Sequence, residues 1–303
     1  MQVEITPKKL NTDGIKAPAD KSWIIRYIIV SAVKGGDCCI RNINLCDDVL
    51  AAMDCAEAYA QGGVAYCGDS ATVLRLFLPS FIKNYGRADF ICGESLIERP
   101  LGPYLKYFDI VREGNTLHVS GELKDEYDFD SKISSQFVSG LLIAGCRVNG
   151  KSVSGPYIEM TKKVLAKELP FDVTVPEDAT LSAFWHVGNL NIGNVDEQPD
   201  MYMPWMLQQY LKNGEQIVSP ERLRQKESDR IEGVAKVVSE VLMKSGGRAV
   251  IDSRDHRIIM MAAIAAQWAK VPVTILYAEE VSKSYPGFWD DYIKAGGDIN
   301  VTA

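Results

Sequence analysis

Histidine is scarce in this 303-residue chain: His118, His186 and His256 are the only three, scattered without metal-ligand spacing, so no metal site is expected. Disulfide logic is also missing. The seven cysteines (Cys38, Cys39, Cys46, Cys55, Cys67, Cys92, Cys146) are odd in number, contain no C-x-x-C pair and all fall in the first half. That usage fits reduced thiols and a cytoplasmic chain. No Walker-type or dinucleotide glycine motif occurs, which argues against a nucleotide kinase or a Rossmann enzyme and leaves no cofactor implied. The longest uninterrupted apolar run, Ile258 to Ala266, is far too short to span a bilayer, and the opening MQVEITPKKL has no signal-peptide core. Positive charge is in deficit, 33 Lys and Arg against 40 Asp and Glu, so neither nucleic acid nor an acidic membrane surface is expected as a partner. Any anion must be caught by a local basic pocket.

One stretch supplies such a pocket. Arg222-Leu-Arg-Gln-Lys-Glu-Ser-Asp-Arg230 carries six charges in nine residues, four of them positive. It runs directly into Ile231, Val234, Ala235, Val238 and Leu242, which are spaced as one face of a helix starting near Ser228 or Asp229. Free N–H groups at a helix start favour anions, and Arg and Lys beside them add charge-assisted hydrogen bonds. Glu227 stands among these cations as a carboxylate able to exchange a proton with a bound anion. The plain alternative is a solvated charge run capping a helix.

The same arrangement recurs along the chain. Asp20 or Ser22 opens a helix ending at Gly35-Gly36. Gly68-Asp-Ser-Ala-Thr72, Lys132-Ile-Ser-Ser-Gln136, Glu177-Asp-Ala-Thr180 and Arg254-Asp-His-Arg257 open further apolar helices. A strand-and-helix unit of about 50 residues, repeated, is the economical reading. Length and the 47% apolar content suit two domains. The expected division is 18–175 as the first repeat domain, and 1–17 plus 176–303 as the second. If the buried helices point their N-termini into one cleft, Lys21, Ser22, Arg26, Thr72, Arg75, Ser134, Ser135, Gln136, Arg230 and Arg257 line it. Such a pocket suits phosphorylated or carboxylated small molecules.

The order of motifs resembles the 5-enolpyruvylshikimate-3-phosphate synthase family. The residues that carry the resemblance are Asp-Lys-Ser22, Gly-Asp-Ser-Ala-Thr-Val-Leu-Arg75, Glu-Arg-Pro-Leu-Gly102, Ser-Ser-Gln136, Ser154-Gly-Pro-Tyr157, Pro-Asp200, Arg-Gln-Lys-Glu-Ser-Asp-Arg230, Asp-His-Arg257 and Lys-Ser-Tyr-Pro286. Nine matches in the family's order across nearly the whole chain are far more specific than any one of them. The resemblance implies a two-domain α/β fold of repeated βαβαββ units around an inter-domain cleft. It also implies transfer of the enolpyruvyl group of phosphoenolpyruvate to the 5-hydroxyl of shikimate-3-phosphate, with release of phosphate. By that resemblance Ser22, Arg26, Ser134, Ser135, Gln136, Ser154, Tyr157, Asp200 and Lys226 bind shikimate-3-phosphate. Lys21, Arg75, Arg99, Gln136, Arg230, Arg257 and Lys283 bind phosphoenolpyruvate, and Lys21, Asp200 and Glu227 move protons. A monomer is expected.

The chain departs from the family's pattern in length and at single positions. Strand-rich stretches are expected to be missing around Gln61 to Gly68, after Leu169, and between His186 and Pro199. Asp69 stands for an asparagine, Ala71 for a glycine, Arg222 and Arg254 for asparagines, and Gly155 for a lysine. The methyl of Ala71 is expected to crowd a ligand longer than phosphoenolpyruvate, such as glyphosate. Two other readings remain: a non-catalytic anion-binding relative, or an enolpyruvyl transferase acting on UDP-N-acetylglucosamine. The latter typically starts with Lys-Asn and carries a mobile-loop cysteine, whereas this chain has Lys21-Ser22 and no cysteine at the matching position. Asp200 has a plainer reading too, as the cap of the helix that follows it.

Overall fold

Short polar caps followed by apolar segments set the architecture of the computed structural model, which describes residues 1–129, 133–150, 153–190, 199–214 and 229–302. In chain order come β1 (Gln2–Thr6), α1 (Lys21–Lys34), β2 (Cys38–Arg41), α2 (Asp47–Gln61), β3 (Ala65–Gly68) and α3 (Ala71–Tyr85). Then follow β4 (Arg87–Cys92), the single turn α4 (Glu94–Ile97), β5 (Asp109–Glu113), β6 (Thr116–Ser120), β7 (Glu126–Phe129), α5 (Ser135–Ile143) and β8 (Arg147–Gly150). The chain continues through α6 (Pro156–Leu165), β9 (Phe171–Thr174), α7 (Ala179–Trp185), α8 (Tyr202–Asn213) and α9 (Arg230–Val237). It ends with β10 (Ala249–Asp252), α10 (His256–Ala265), β11 (Val273–Leu276), α11 (Phe288–Lys294) and β12 (Asp298–Thr302).

The chain divides into two compact units, Ala19–Pro176, and Met1–Pro18 with Glu177–Ala303. Each has its own hydrophobic core. In the first, β3 and β4 pair in parallel across α3, and β4, β6 and β5 continue antiparallel, closed by the two-residue Gly114-Asn115 hairpin. A parallel pair needs a crossover, and the buried helix provides it. The parallel pair β7 and β8 is built the same way across α5, while β2 pairs in parallel with β9. In the second unit β10 and β11 are parallel across α10, and β1 and β12 complete the sheet in the order β10-β11-β1-β12. Among the described residues each unit therefore has one four-stranded sheet, and the first unit adds two sheets of only two strands.

Crossover helices are buried nearly all round, as helices enclosed by other elements must be. Every residue of α10 from His256 to Ala265 is buried, and α3 buries Val73, Leu74 and the run Leu76 to Ile82. Such crowding demands glycine where two helices cross. A Cβ on Gly140 of α5 would overlap the Arg75 carbonyl of α3 and the Tyr104 hydroxyl; one on Gly233 of α9 would overlap Ile258 of α10. The first obstacle is backbone, the second a side chain that can turn aside. Gly140→Ala should therefore lower stability to denaturant by about 1–3 kcal/mol, and Gly233→Ala by less. Equal losses in urea melts of the two variants would contradict this account of the α3–α5 contact.

Candidate active-site groups

In the unit Ala19–Pro176 the expected residues collect at helix starts. Asp20 caps α1 by accepting from the Ser22 N–H, as its position before the apolar run foretold. Lys21 is thereby placed at the first helical residue, where its ammonium meets Asp48 of α2 at 2.6 Å. Arg26, one turn on, is 1% exposed. Its guanidinium donates to Thr161 of α6 at 2.8 Å and to the Ser22 carbonyl at 2.9 Å, and faces the Tyr157 ring. The Thr161 hydroxyl donates in turn to Ser139 of α5 at 2.9 Å, so one buried chain joins α1, α6 and α5. Burial pushes the Arg26 guanidinium down to about 10, with Tyr157 and Asp20 acting against it. It remains a cation at neutral pH.

A second group surrounds Arg75. Ser70 caps α3 and Ser134 caps α5. Gln136 accepts from Arg75 at 2.7 Å and donates to Thr72 at 2.8 Å, which locks the two helix starts together. Arg75 also donates to the Pro100 carbonyl and lies over the Phe137 ring at 4.8 Å. Burial, and then the charge of Arg99, push it down to about 10. Asp69 accepts from the Ser95 and Leu96 N–H groups and the Ser95 hydroxyl, so it caps α4, the turn leading to Arg99. Ser135 is the first residue of α5; Ser154 is exposed, just before the Gly155 that caps α6. The Ala71 side chain is 5% exposed and belongs to the apolar core of this unit.

The other unit holds the densest charge cluster. Arg230 is 4% exposed at the start of α9. Its Nε and Nη2 donate to the two oxygens of Asp255, at 2.8 and 3.3 Å, and its Nη1 donates to Asp200 at 3.0 Å. Asp255 also caps α10 by accepting from the Arg257 N–H at 2.9 Å. Arg257 reaches Thr180, whose hydroxyl is bonded to Asp178, the cap of α7. Asp200 is thus a partner of Arg230, in a short turn before α8, and the residue at the N-cap of α8 is Met201. Its plainer reading as that helix's cap gives way. Lys283 pairs with Glu280 at 2.7 Å. Lys226 and Glu227 lie outside the described residues.

Asp48, Thr180, Asp255 and Glu280, the residues that hold the expected cations, were not singled out from sequence as their partners. Nothing local marks them, since Lys21 and Asp48 are 27 positions apart and Arg257 and Thr180 are 77 apart.

Comparisons with known proteins show what the chain is similar to. A family model described as EPSP synthase (3-phosphoshikimate 1-carboxyvinyltransferase) matches residues 166–292. The 3-phosphoshikimate 1-carboxyvinyltransferase of Clostridium perfringens is 25% identical, over 98% of this chain and 98% of its own. That of Thermococcus kodakarensis is 27% identical, over 91% of this chain and 96% of its own. The chain is thus similar to EPSP synthases, over residues 166–292 by the family model and along nearly its whole length by these relatives. Its fold is that of solved structures: an EPSP synthase from Acinetobacter baumannii superposes over the whole of both chains with a TM-score of 0.74 at 19% identity. The enolpyruvyl transferase NikO from Streptomyces tendae gives 0.64 at 10% identity, over 99% of this chain and 98% of its own. This EPSP synthase relative is short by internal loss. The alignment to the Clostridium protein runs over 418 positions against the 303 residues here, so at least 115 positions face gaps in this chain.

Removing Arg230 takes away the cation that two buried carboxylates share, which typically costs about 3–5 kcal/mol. Arg230→Met should therefore fall in that range by denaturant unfolding. Arg230→Lys, which keeps the charge and loses the fork, should fall between it and the wild type. A Met variant as stable as the parent would show that the cluster does not hold the starts of α9 and α10 together.

Proposed function

We propose that this chain transfers the enolpyruvyl group of phosphoenolpyruvate to the 5-hydroxyl of shikimate-3-phosphate and releases phosphate. The observation that carries the reading is the set of capped helix starts, each presenting a cation or a paired polar group, in a chain aligned nearly end to end with enzymes named for this reaction. Both substrates are anions, and helix starts bearing Lys and Arg suit phosphate and carboxylate oxygens.

Roles follow residue by residue. Ser22, Arg26, Ser134, Ser135, Gln136, Ser154 and Tyr157, with Asp200 and Lys226, hold shikimate-3-phosphate. The contact of Arg26 with the Ser22 carbonyl and the Tyr157 ring supports reading those three as one subsite. Lys21, Arg75, Arg99, Gln136, Arg230, Arg257 and Lys283 hold phosphoenolpyruvate. The direct bond between Arg75 and Gln136, and the shared carboxylate that joins Arg230 to the start of the Arg257 helix, support two further subsites.

Addition requires the 5-hydroxyl to lose a proton as it attacks C2, while C3 gains one. Elimination then returns the C3 proton and expels phosphate. Asp200 is the base, and Glu227 with Lys21 exchanges the C3 proton. Asp200 is bonded to Arg230 and Lys21 to Asp48, so both groups are held by opposite charges. An incoming phosphate competes with Asp200 for the Arg230 guanidinium and frees that carboxylate to accept the hydroxyl proton. Substrate binding and base activation are thus the same exchange of partners. No metal is needed in this scheme, because guanidinium and ammonium groups offset the charge that moves during addition and elimination.

The purified chain should release phosphate when given phosphoenolpyruvate and shikimate-3-phosphate, and not when UDP-N-acetylglucosamine replaces the latter. Asp200→Asn and Glu227→Gln keep shape and hydrogen bonding but remove proton exchange, and each should lower kcat by about 10²-fold or more. The KM for shikimate-3-phosphate should barely move in Glu227→Gln. Wild-type kcat in both variants would remove the two carboxylates from the mechanism, and phosphate release with only the nucleotide sugar would replace the acceptor.

A further inference from the structure

The turn that carries Lys283 holds an ion network whose other members, Glu280 and Arg254, have no part in the reaction scheme. Glu280 is one carboxylate with two cations, one on each oxygen. Lys283 approaches Oε2 at 2.7 Å, and Arg254 donates to Oε1 at 3.4 Å. The two partners differ in setting. The side chains of Glu280 and Lys283 are only 15% and 12% exposed, while that of Arg254 is 65% exposed. Arg254 is nonetheless held, since its guanidinium lies over the Tyr277 ring, 4.1 Å from the centroid. A cation over an aromatic face is attracted by the ring quadrupole and gives up rotational freedom. Tyr277 is itself fixed unusually. Among the described residues it and Asn42 are the only non-glycines with positive φ, at 55° for Tyr277, where it caps the turn 278–283. The end of β11, the turn and the residue before the Asp255 cap are thus joined through side chains.

A carboxylate beside Lys283 fixes the ammonium but also opposes any anion that Lys283 is meant to hold. The opposition is large in a partly buried place, where two unit charges interact far more strongly than in water. A second cation on the same carboxylate cancels most of it without releasing the lysine. We infer that Arg254 is a positioning and charge-compensating residue that acts through Glu280 on Lys283, and so sets the affinity for phosphoenolpyruvate. It does not touch the substrate. Glu280 fixes where the ammonium sits, and Arg254 keeps that fixing carboxylate from repelling the anion. The inference rests on the reading that Lys283 binds phosphoenolpyruvate.

The test is a double-mutant cycle on the KM for phosphoenolpyruvate at saturating shikimate-3-phosphate, with the converse titration as control. Arg254→Gln should raise the KM for phosphoenolpyruvate about threefold or more and leave that for shikimate-3-phosphate unchanged. In a Glu280→Gln background the same Arg254→Gln change should have little effect, because the charge it compensates is gone. Arg254 is mostly exposed, so its replacement should not unfold the chain, and an unchanged thermal midpoint confirms that the effect is local. A merely structural Arg254 would move both KM values or the midpoint; a direct steering charge would act equally in both backgrounds. Either result overturns the inference while leaving the proposed reaction standing. Absence of phosphate release by the wild type overturns the reaction, and the inference with it.

Discussion

Asp255 does two jobs with one carboxylate, and much of its unit depends on them. It caps α10 through the Arg257 N–H and grips the Arg230 fork at the start of α9. A buried charge is costly unless paired and hydrogen-bonded on all sides. Here the pairing is what aligns two helix starts and brings in Asp200 as a third member. The guanidinium and both carboxylates are therefore pre-arranged, with the orientation of the cation fixed by its partners. The same device recurs in weaker form in the other unit, where Gln136 joins the capped starts of α3 and α5 through Arg75 and Thr72.

This placement explains how a chain can lose at least 115 aligned positions and keep its functional groups. The groups sit on caps and first turns of crossover helices, whose positions depend on helix packing and on the parallel strand at each side. Outer strands extend a sheet but hold no cap. The pair β7–β8 still closes a parallel crossover across α5 with only two strands. Ile43, Leu45, Leu50 and Met53, beside and along α2, are apolar side chains exposed at the surface of that unit.

Helix starts were the most legible feature of the sequence, because a cap is a local event. Asp20, Ser70, Ser134, Asp178, Asp229 and Asp255 each precede an apolar run, and each accepts an N–H two or three residues on. The glycine stop at Gly35 was equally local, a left-handed residue after the last turn. The likeness to EPSP synthases was legible from the order of motifs. Less legible were the partners. Nothing in the sequence tied Asp48, Thr180 or Glu280 to a cation, since only the fold sets them against Lys21, Arg257 and Lys283. Asp200 admitted two readings until its bond to Arg230 was seen. The sharpest motif of all, around Lys226 and Glu227, falls outside the described residues.

The central claim is chemical: addition at C2 of phosphoenolpyruvate with protonation at C3, followed by elimination, carried out by residues set on capped helix starts. Running the reaction in deuterium oxide tests it most directly. During addition C3 becomes a methyl group holding one solvent hydrogen, and elimination removes any of the three. Deuterium should therefore appear at the vinyl carbon of the product and of recovered phosphoenolpyruvate, and only when shikimate-3-phosphate is present. Product formed without deuterium at that carbon would contradict the addition–elimination account and the proton-transfer roles assigned to Lys21, Asp200 and Glu227.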